Sequence, residues 1–211
     1  MVKRVLIEGA NYCGKGTVSS LIKFFLPGAM VIELHDYFHQ HLLRQFPEIK
    51  LLYDPEHFEN LDSDIICSSI NYLRMRTNEI FGVVDSIKHD NMIIERLFLT
   101  EVVYSKLLFN LDRFDYALEM EKELTERDVI LILVTAEPNT IIERLRYNTD
   151  KNLSRKAINI PIHLTNKKLA VYKNDLYNEY YDSLKLIKKF KINTTVNNKI
   201  QVREILANII S

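Results

Sequence analysis

Short apolar runs alternate along the chain with longer stretches in which apolar residues return every three or four positions. Lys3–Glu8, Ala29–Glu33, Asn91–Glu95, Asp128–Thr135 and Phe190–Thr194 are the short runs, and they read as strands. Helical spacing predicts helices over Ser19–Phe25, ending before Pro27-Gly28, and over Asp64–His89, where Ile66, Ile70, Leu73, Ile80, Phe81, Val84 and Ile87 recur. Further helices run from the third strand through Leu124, over Asn139–Arg146 after Pro138, over Thr165–Lys188 and over Ile200–Ile210. A helical stretch and a loop around Tyr53-Asp54-Pro55-Glu56 follow the second strand. Tyr147–Ile162 is polar and basic, with no clean period, and the lysines from Lys185 to Lys191 read as a solvated helix end. Strands alternating with helices imply an α/β fold whose parallel sheet is covered on both faces. Ligands of such sheets sit at the carboxyl ends of the strands, so residues following the first three strands should converge.

Composition narrows this only by exclusion. The 211 residues carry 28 basic and 28 acidic side chains, so no global field draws the chain to nucleic acid or membrane. No apolar run approaches the ~20 residues that span a bilayer, and the first residues run straight into a strand without the form of a secretory leader. Two cysteines, Cys13 and Cys67, make no disulfide framework and suit a reducing cytoplasm. No repeat or low-complexity linker divides the chain, which predicts one domain over 1–211.

The candidate chemistry begins between the first strand and the first helix. Gly9-Ala10-Asn11-Tyr12-Cys13-Gly14-Lys15 satisfies G-x-x-x-x-G-K in the strand–helix context that the motif requires. Glycines accept positive φ and turn backbone N–H groups inward, making a nest for phosphate oxygens at a helix N-terminus, while lysine adds a mobile charge. Gly9, Ala10, Asn11, Tyr12, Cys13, Gly14, Lys15, Gly16, Thr17 and Val18 are therefore the expected ATP-binding residues. The hydroxyl that usually follows the lysine and ligates Mg²⁺ is displaced by one position, to Thr17, behind Gly16. Cys13 reads as a small space-filling residue of the loop. The GTPase alternative wants Asn-Lys-x-Asp after a later strand, where the chain has Ala136-Glu137-Pro138-Asn139. His35, His39 and His41 complete no recognisable zinc pattern.

A second constellation closes the third strand. Glu95 and Arg96 place a metal or hydroxyl acceptor beside a phosphate fork, with Thr100 and Tyr104 four residues apart on the following helix. Here the chain resembles thymidylate kinase and its relatives among the P-loop nucleoside and nucleotide kinases. Those proteins carry Asp-Arg-Tyr with a later Ser/Thr and aromatic, where this chain has Glu95-Arg96-Leu97, Thr100 and Tyr104. Tyr72 and Arg76 fall at the family's upstream aromatic and arginine, and the segments from Glu137 to Arg146 and from Val171 to Tyr180 resemble those flanking its lid. The Gly-Lys-Gly-Thr ending of the loop resembles adenylate kinases. Departures are Asn11 for the usual Asp, and Ile32-Glu33-Leu34 for Arg-Glu-Pro. Glu95-Arg96 instead resembles deoxynucleoside kinases, which use a Glu after the second strand as base for the 5′-hydroxyl, a part open to Glu33.

The resemblance implies a three-layer P-loop kinase fold, a five-stranded parallel sheet of order 2-3-1-4-5, and a small lid over 147–162. It implies ATP and Mg²⁺, with Thr17 and Glu95 at the metal, and catalysis by Lys15, Arg96, Glu95 and the lid's Arg155. Arg144 would stack on adenine, while Glu33, Tyr72, Arg76, Arg96, Thr100 and Tyr104 would bind the acceptor. That acceptor is expected to be a deoxynucleoside 5′-monophosphate, with a free nucleoside as the alternative and a non-catalytic nucleotide-binding subunit as a further one. Family members commonly form homodimers through helices flanking the sheet, and Asp64–His89 offers such a face.

Overall fold

A computed structural model describes residues 3–33, 63–87, 90–154 and 166–210. Five strands, β1 (Arg4–Glu8), β2 (Met30–Glu33), β3 (Met92–Glu95), β4 (Val129–Thr135) and β5 (Lys189–Asn193), form one parallel sheet in the order β2-β3-β1-β4-β5. Helices α1 (Lys15–Phe25), α2 (Ser63–Ser86), α3 (Phe98–Phe109), α4 (Phe114–Glu126), α5 (Pro138–Ser154), α6 (Lys167–Ser183) and α7 (Lys199–Ile210) flank it. This is the three-layer arrangement that the strand pattern implied.

The apolar strands feed two cores because successive side chains point to opposite faces. Leu6, Ile94, Leu131 and Leu133 pack against α2, α3, α4 and α6, whereas Val5, Ile7, Ile93, Ile132 and Val134 pack against α1, α5 and α7. All seven residues of β4 are buried, as a strand covered on both faces requires.

Three expectations are corrected. The first helix begins at Lys15, four residues before its apolar period does, because the Gly14 carbonyl already accepts from the amides of Thr17 and Val18. Helix α5 continues beyond Arg146 to Ser154, through eight residues read as aperiodic. Helix α6 stops at Ser183, so Lys189 and Lys191 belong to β5 instead of a helix end. The Lys189 ammonium bonds the Tyr181 and Leu184 carbonyls at 2.6 and 2.7 Å, closing the turn that the lysine-rich stretch makes. Among the described residues no helix is long and apolar enough to cross a membrane.

Candidate active site

Two helix N-termini open at the carboxyl edge of the central strands, and the chain treats them oppositely. At α3 the protein supplies its own anion. Glu8, the fully buried last residue of β1, accepts through Oε1 from the amides of Leu97, Leu99 and Thr100 at 2.8, 3.1 and 3.4 Å. Its Oε2 accepts from the Thr100 hydroxyl at 2.6 Å, and that hydroxyl also meets the Tyr177 phenol at 2.7 Å. Burial raises the Glu8 pKa, opposed by the bonds from Thr100 and Leu97 and by the charge of Arg96.

At α1 no anion is supplied by the described residues. Its N-cap is Gly14, which brings no capping side chain, and no acidic residue stands in the first turn. Partial positive charge at such a terminus therefore faces the cavity above the loop. Gly9 holds φ +140°, and a Cβ there would come within 2.2 Å of the Val134 carbonyl oxygen. Gly14 holds φ +95° and Tyr12 φ 65°, the left-handed conformations that turn successive amides to one side.

Lys15 is buried, and its ammonium folds back to donate to the carbonyls of Gly9 and Ala10 at 2.7 and 2.8 Å. Burial, then repulsion from Arg96, lowers its pKa to about 7. The Cys13 thiol is buried and donates to the Ala10 carbonyl, consistent with space filling.

Arg96 follows β3 with φ 65°, an uncommon backbone for a side chain of this size, and its amide donates to Ile7. That turn sends its guanidinium toward the loop, where Nη2 donates to the Asn11 side-chain oxygen at 2.6 Å. Its buried Nη1 has no hydrogen-bond partner among the described residues. Glu33 and Glu95 are register partners at the ends of β2 and β3. Lys23 of α1 reaches both carboxylates, at 3.7 and 3.9 Å, and the Ser19 hydroxyl donates to Glu95. Lys15, Thr17, Glu33, Glu95, Arg96 and Asn11 line a cavity of about 680 Å³, which joins the loop to both carboxylates.

A second cavity of about 600 Å³ lies on the other side of the loop, between α5 and the turn after β5. Arg144, Tyr147, Thr194 and Asn197 are among its walls. The Arg144 guanidinium donates to the Tyr12 carbonyl at 3.1 Å and to Thr194 Oγ1 and O at 2.8 and 3.1 Å. The Thr194 hydroxyl donates in turn to the Cys13 carbonyl at 2.6 Å. Arg144 thus laces α5, the loop and the turn after β5 together at the rim of a nucleoside-sized space.

The expected site residues therefore fall into groups. Lys15, Thr17, Glu33, Glu95 and Arg96 share one cavity, and Arg144 lines the neighbouring one. Thr100 and Tyr104 are buried: Thr100 is committed to Glu8 and Tyr177, and the Tyr104 phenol accepts from Lys173. Tyr72 and Arg76 lie on α2. The lid's second half, 155–162, with Arg155, and His35, His39 and His41 lie outside the described residues.

Sequence reasoning assigned no role to Glu8, Lys23, Lys173 or Thr194. Lys173 had a signal available: Ala170, Lys173, Tyr177 and Tyr180 follow core spacing on α6, and a lysine there must be buried. Thr194 and Lys23 had none, since Thr194 meets Arg144 and Cys13 and Lys23 meets Glu33 and Glu95 only once the strands have assembled.

No family model and no curated relative matches the chain by sequence. Solved structures match it along its whole length. The deoxyadenosine kinase of M. mycoides, with bound dCTP, superposes with a TM-score of 0.54 at 17% identity, covering 99% of this chain and 98% of its own. The thymidylate kinase of Candida albicans superposes with 0.54 at 16% identity, covering 99% and 91%. A sugar kinase from Janibacter gives 0.52 at 13% identity, covering 99% and 94%. The chain has the P-loop kinase fold.

Proposed function

We propose that the protein transfers the γ-phosphoryl group of ATP to the 5′-hydroxyl of a deoxynucleoside. The observation that carries this reading is the pairing of Glu33 and Glu95 in the same cavity as Lys15 and Arg96. A nucleoside hydroxyl must lose a proton to attack phosphorus, and Glu33 is the carboxylate we assign to accept it. A monophosphate acceptor needs no base, and its charge would be repelled by two carboxylates.

In this scheme the loop amides and Lys15 hold the β- and γ-phosphates, and the adenosine occupies the cavity beside Arg144 and Tyr147. The 5′-oxygen attacks the γ-phosphorus as the bond to the β-bridging oxygen breaks. The proton passes to Glu33 and ADP departs. Arg96 sits beside the transferring group, where its fixed charge stabilises what develops there. Glu95 and Thr17 present hard oxygen donors at the loop cavity, which fits Mg²⁺, an ion that takes one or two protein oxygens and completes its shell with phosphate and water. Bound there, Mg²⁺ would neutralise phosphate charge. Tyr72 and Arg76 of α2 and Arg155 of the lid are assigned to the acceptor and the closing lid by resemblance.

A second reading, transfer to a deoxynucleoside 5′-monophosphate, is favoured by the partnerless Nη1 of Arg96, a donor suited to an acceptor phosphate. A coupled ADP-release screen over deoxynucleosides and their monophosphates, with the parent and Glu33→Gln, separates the two. Deoxynucleoside turnover that falls at least about 100-fold in Glu33→Gln supports the first reading. Turnover of monophosphates alone, unchanged by Glu33→Gln, supports the second. ATP binding with transfer to neither refutes both and leaves a non-catalytic nucleotide-binding subunit.

A further inference from the structure

We propose that Lys173 adds a second buried basic group to Arg96, which lines the loop cavity, and that the two form a subsite for a phosphoryl oxyanion. Its place in a reaction rests on the phosphotransfer reading above, but its existence does not.

The argument begins with a charge inventory. The buried basic side chains of the described residues are Lys15, Arg96 and Lys173, and the buried acidic ones are Glu8, Glu101 and Glu121. Each of the three carboxylates is hydrogen-bonded elsewhere, and of them only Glu8 acts on these basic groups, through space on Lys15 and Arg96. Glu8 caps α3 and holds Thr100. Glu101 pairs with Arg113, and Glu121 accepts the amides of Leu186 and Ile187. Among the described residues, no ion pair involves Arg96 or Lys173.

Lys173 lies on α6. Its ammonium donates to the Tyr104 hydroxyl and stands 3.8 Å from the centre of that ring. An ammonium carries three donors, and a phenol with its ring is a thin replacement for water. Arg96 reaches the same phenol and repels Lys173 through space. Its Nη1, buried and partnerless, is a guanidinium donor beside that cluster. Two basic groups share one phenol, and among the described residues no ion pair reaches either, an arrangement that an arriving oxyanion relieves. Burial, and then Arg96, holds the Lys173 pKa well below the usual lysine range, so an anion seated there would also restore its charge.

A purely structural lysine predicts the opposite behaviour, because the bond to Tyr104 would then be what the position exists for. The test is binding of inorganic phosphate, ADP and ATP to the parent, Lys173→Met and Lys173→Gln, by calorimetry with thermal unfolding in parallel. Lys173→Met matches the chain length and removes the buried ammonium, and Lys173→Gln keeps a polar head for Tyr104. The expected result is at least a tenfold loss of phosphate affinity in a folded variant. ATP should lose its advantage over ADP there, ADP affinity should be unchanged, and Tm without ligand should match or exceed the parent's. Parent-like phosphate affinity in either folded variant overturns the proposal, as does a parent that binds no phosphate. A parent that binds phosphate through Lys173 yet binds no ATP refutes the kinase reading and leaves the subsite standing.

Discussion

Nucleotide affinity should fall with rising pH through a single group, Lys15. Its ammonium is buried against the Gly9 and Ala10 carbonyls. Desolvation is the largest cause of its pKa of about 7, Arg96 and Lys173 push the same way, and Cys13 and Glu8 oppose. A bound β-phosphate favours the charged form and should return the group toward the ordinary lysine value of about 10.4. Between these limits, binding must take up a proton. Each pH unit then costs ~1.36 kcal/mol, a tenfold rise in Kd, or ~2.7 kcal/mol between about pH 7.5 and 9.5. ADP is the ligand of choice because it lacks the phosphoryl group assigned to Lys173, and its own phosphate ionises near ~6, below the window. Calorimetric titration of ADP should give log Kd rising with a slope near one in the parent, and weak, flat binding in Lys15→Met. A parent whose Kd changes less than about threefold over this window refutes the assignment of Lys15 to the phosphate. The ligand-free protein should show the opposite trend. The unfolded chain holds the Lys15 proton more tightly, so this penalty on folding is fullest below about pH 7 and is relieved as pH rises toward the unfolded lysine's value.

Two further substitutions test the frame around the site. Glu8→Ala removes the acceptor of three amides and of the Thr100 hydroxyl, all buried, and should cost at least about 3 kcal/mol in urea unfolding. A loss below ~1 kcal/mol would mean that water or a rearranged α3 terminus satisfies them. Gly9→Ala would place a Cβ 2.2 Å from the Val134 carbonyl oxygen at φ +140°, so either β4 or the loop must move. We expect a stability loss of about 3 kcal/mol or more together with lost ADP binding, and parent-like values in both assays would refute the close approach.

The phosphate loop was legible because everything it needs is contiguous. Gly9, Gly14 and Lys15 fall within one strand–helix connection, and the structure gives both glycines positive φ between β1 and α1. The strands were legible for a similar reason, since an unbroken apolar run such as Val129–Val134 must be covered on both faces. The order β2-β3-β1-β4-β5, implied by resemblance, is the order observed. Helix ends were less legible. The last eight residues of α5 carry no apolar period, and Lys189 and Lys191 enter β5 because β4 offers them a register, which no local pattern records.

Resemblance assigned Thr100 and Tyr104 to the acceptor, and only the structure shows what they touch: Thr100 meets Glu8 and Tyr177, and Tyr104 meets Lys173, partners 69 to 92 positions away. Arg144 was assigned to a base, and its hydrogen bonds run to Tyr12 and Thr194. Sequence alone determined what a short segment does with its own backbone: where it is apolar, where it must turn, and where amides gather at a helix start. Only the tertiary structure decided which charges are stripped of water and which find a partner, because desolvation and pairing belong to surroundings assembled from distant parts of the chain.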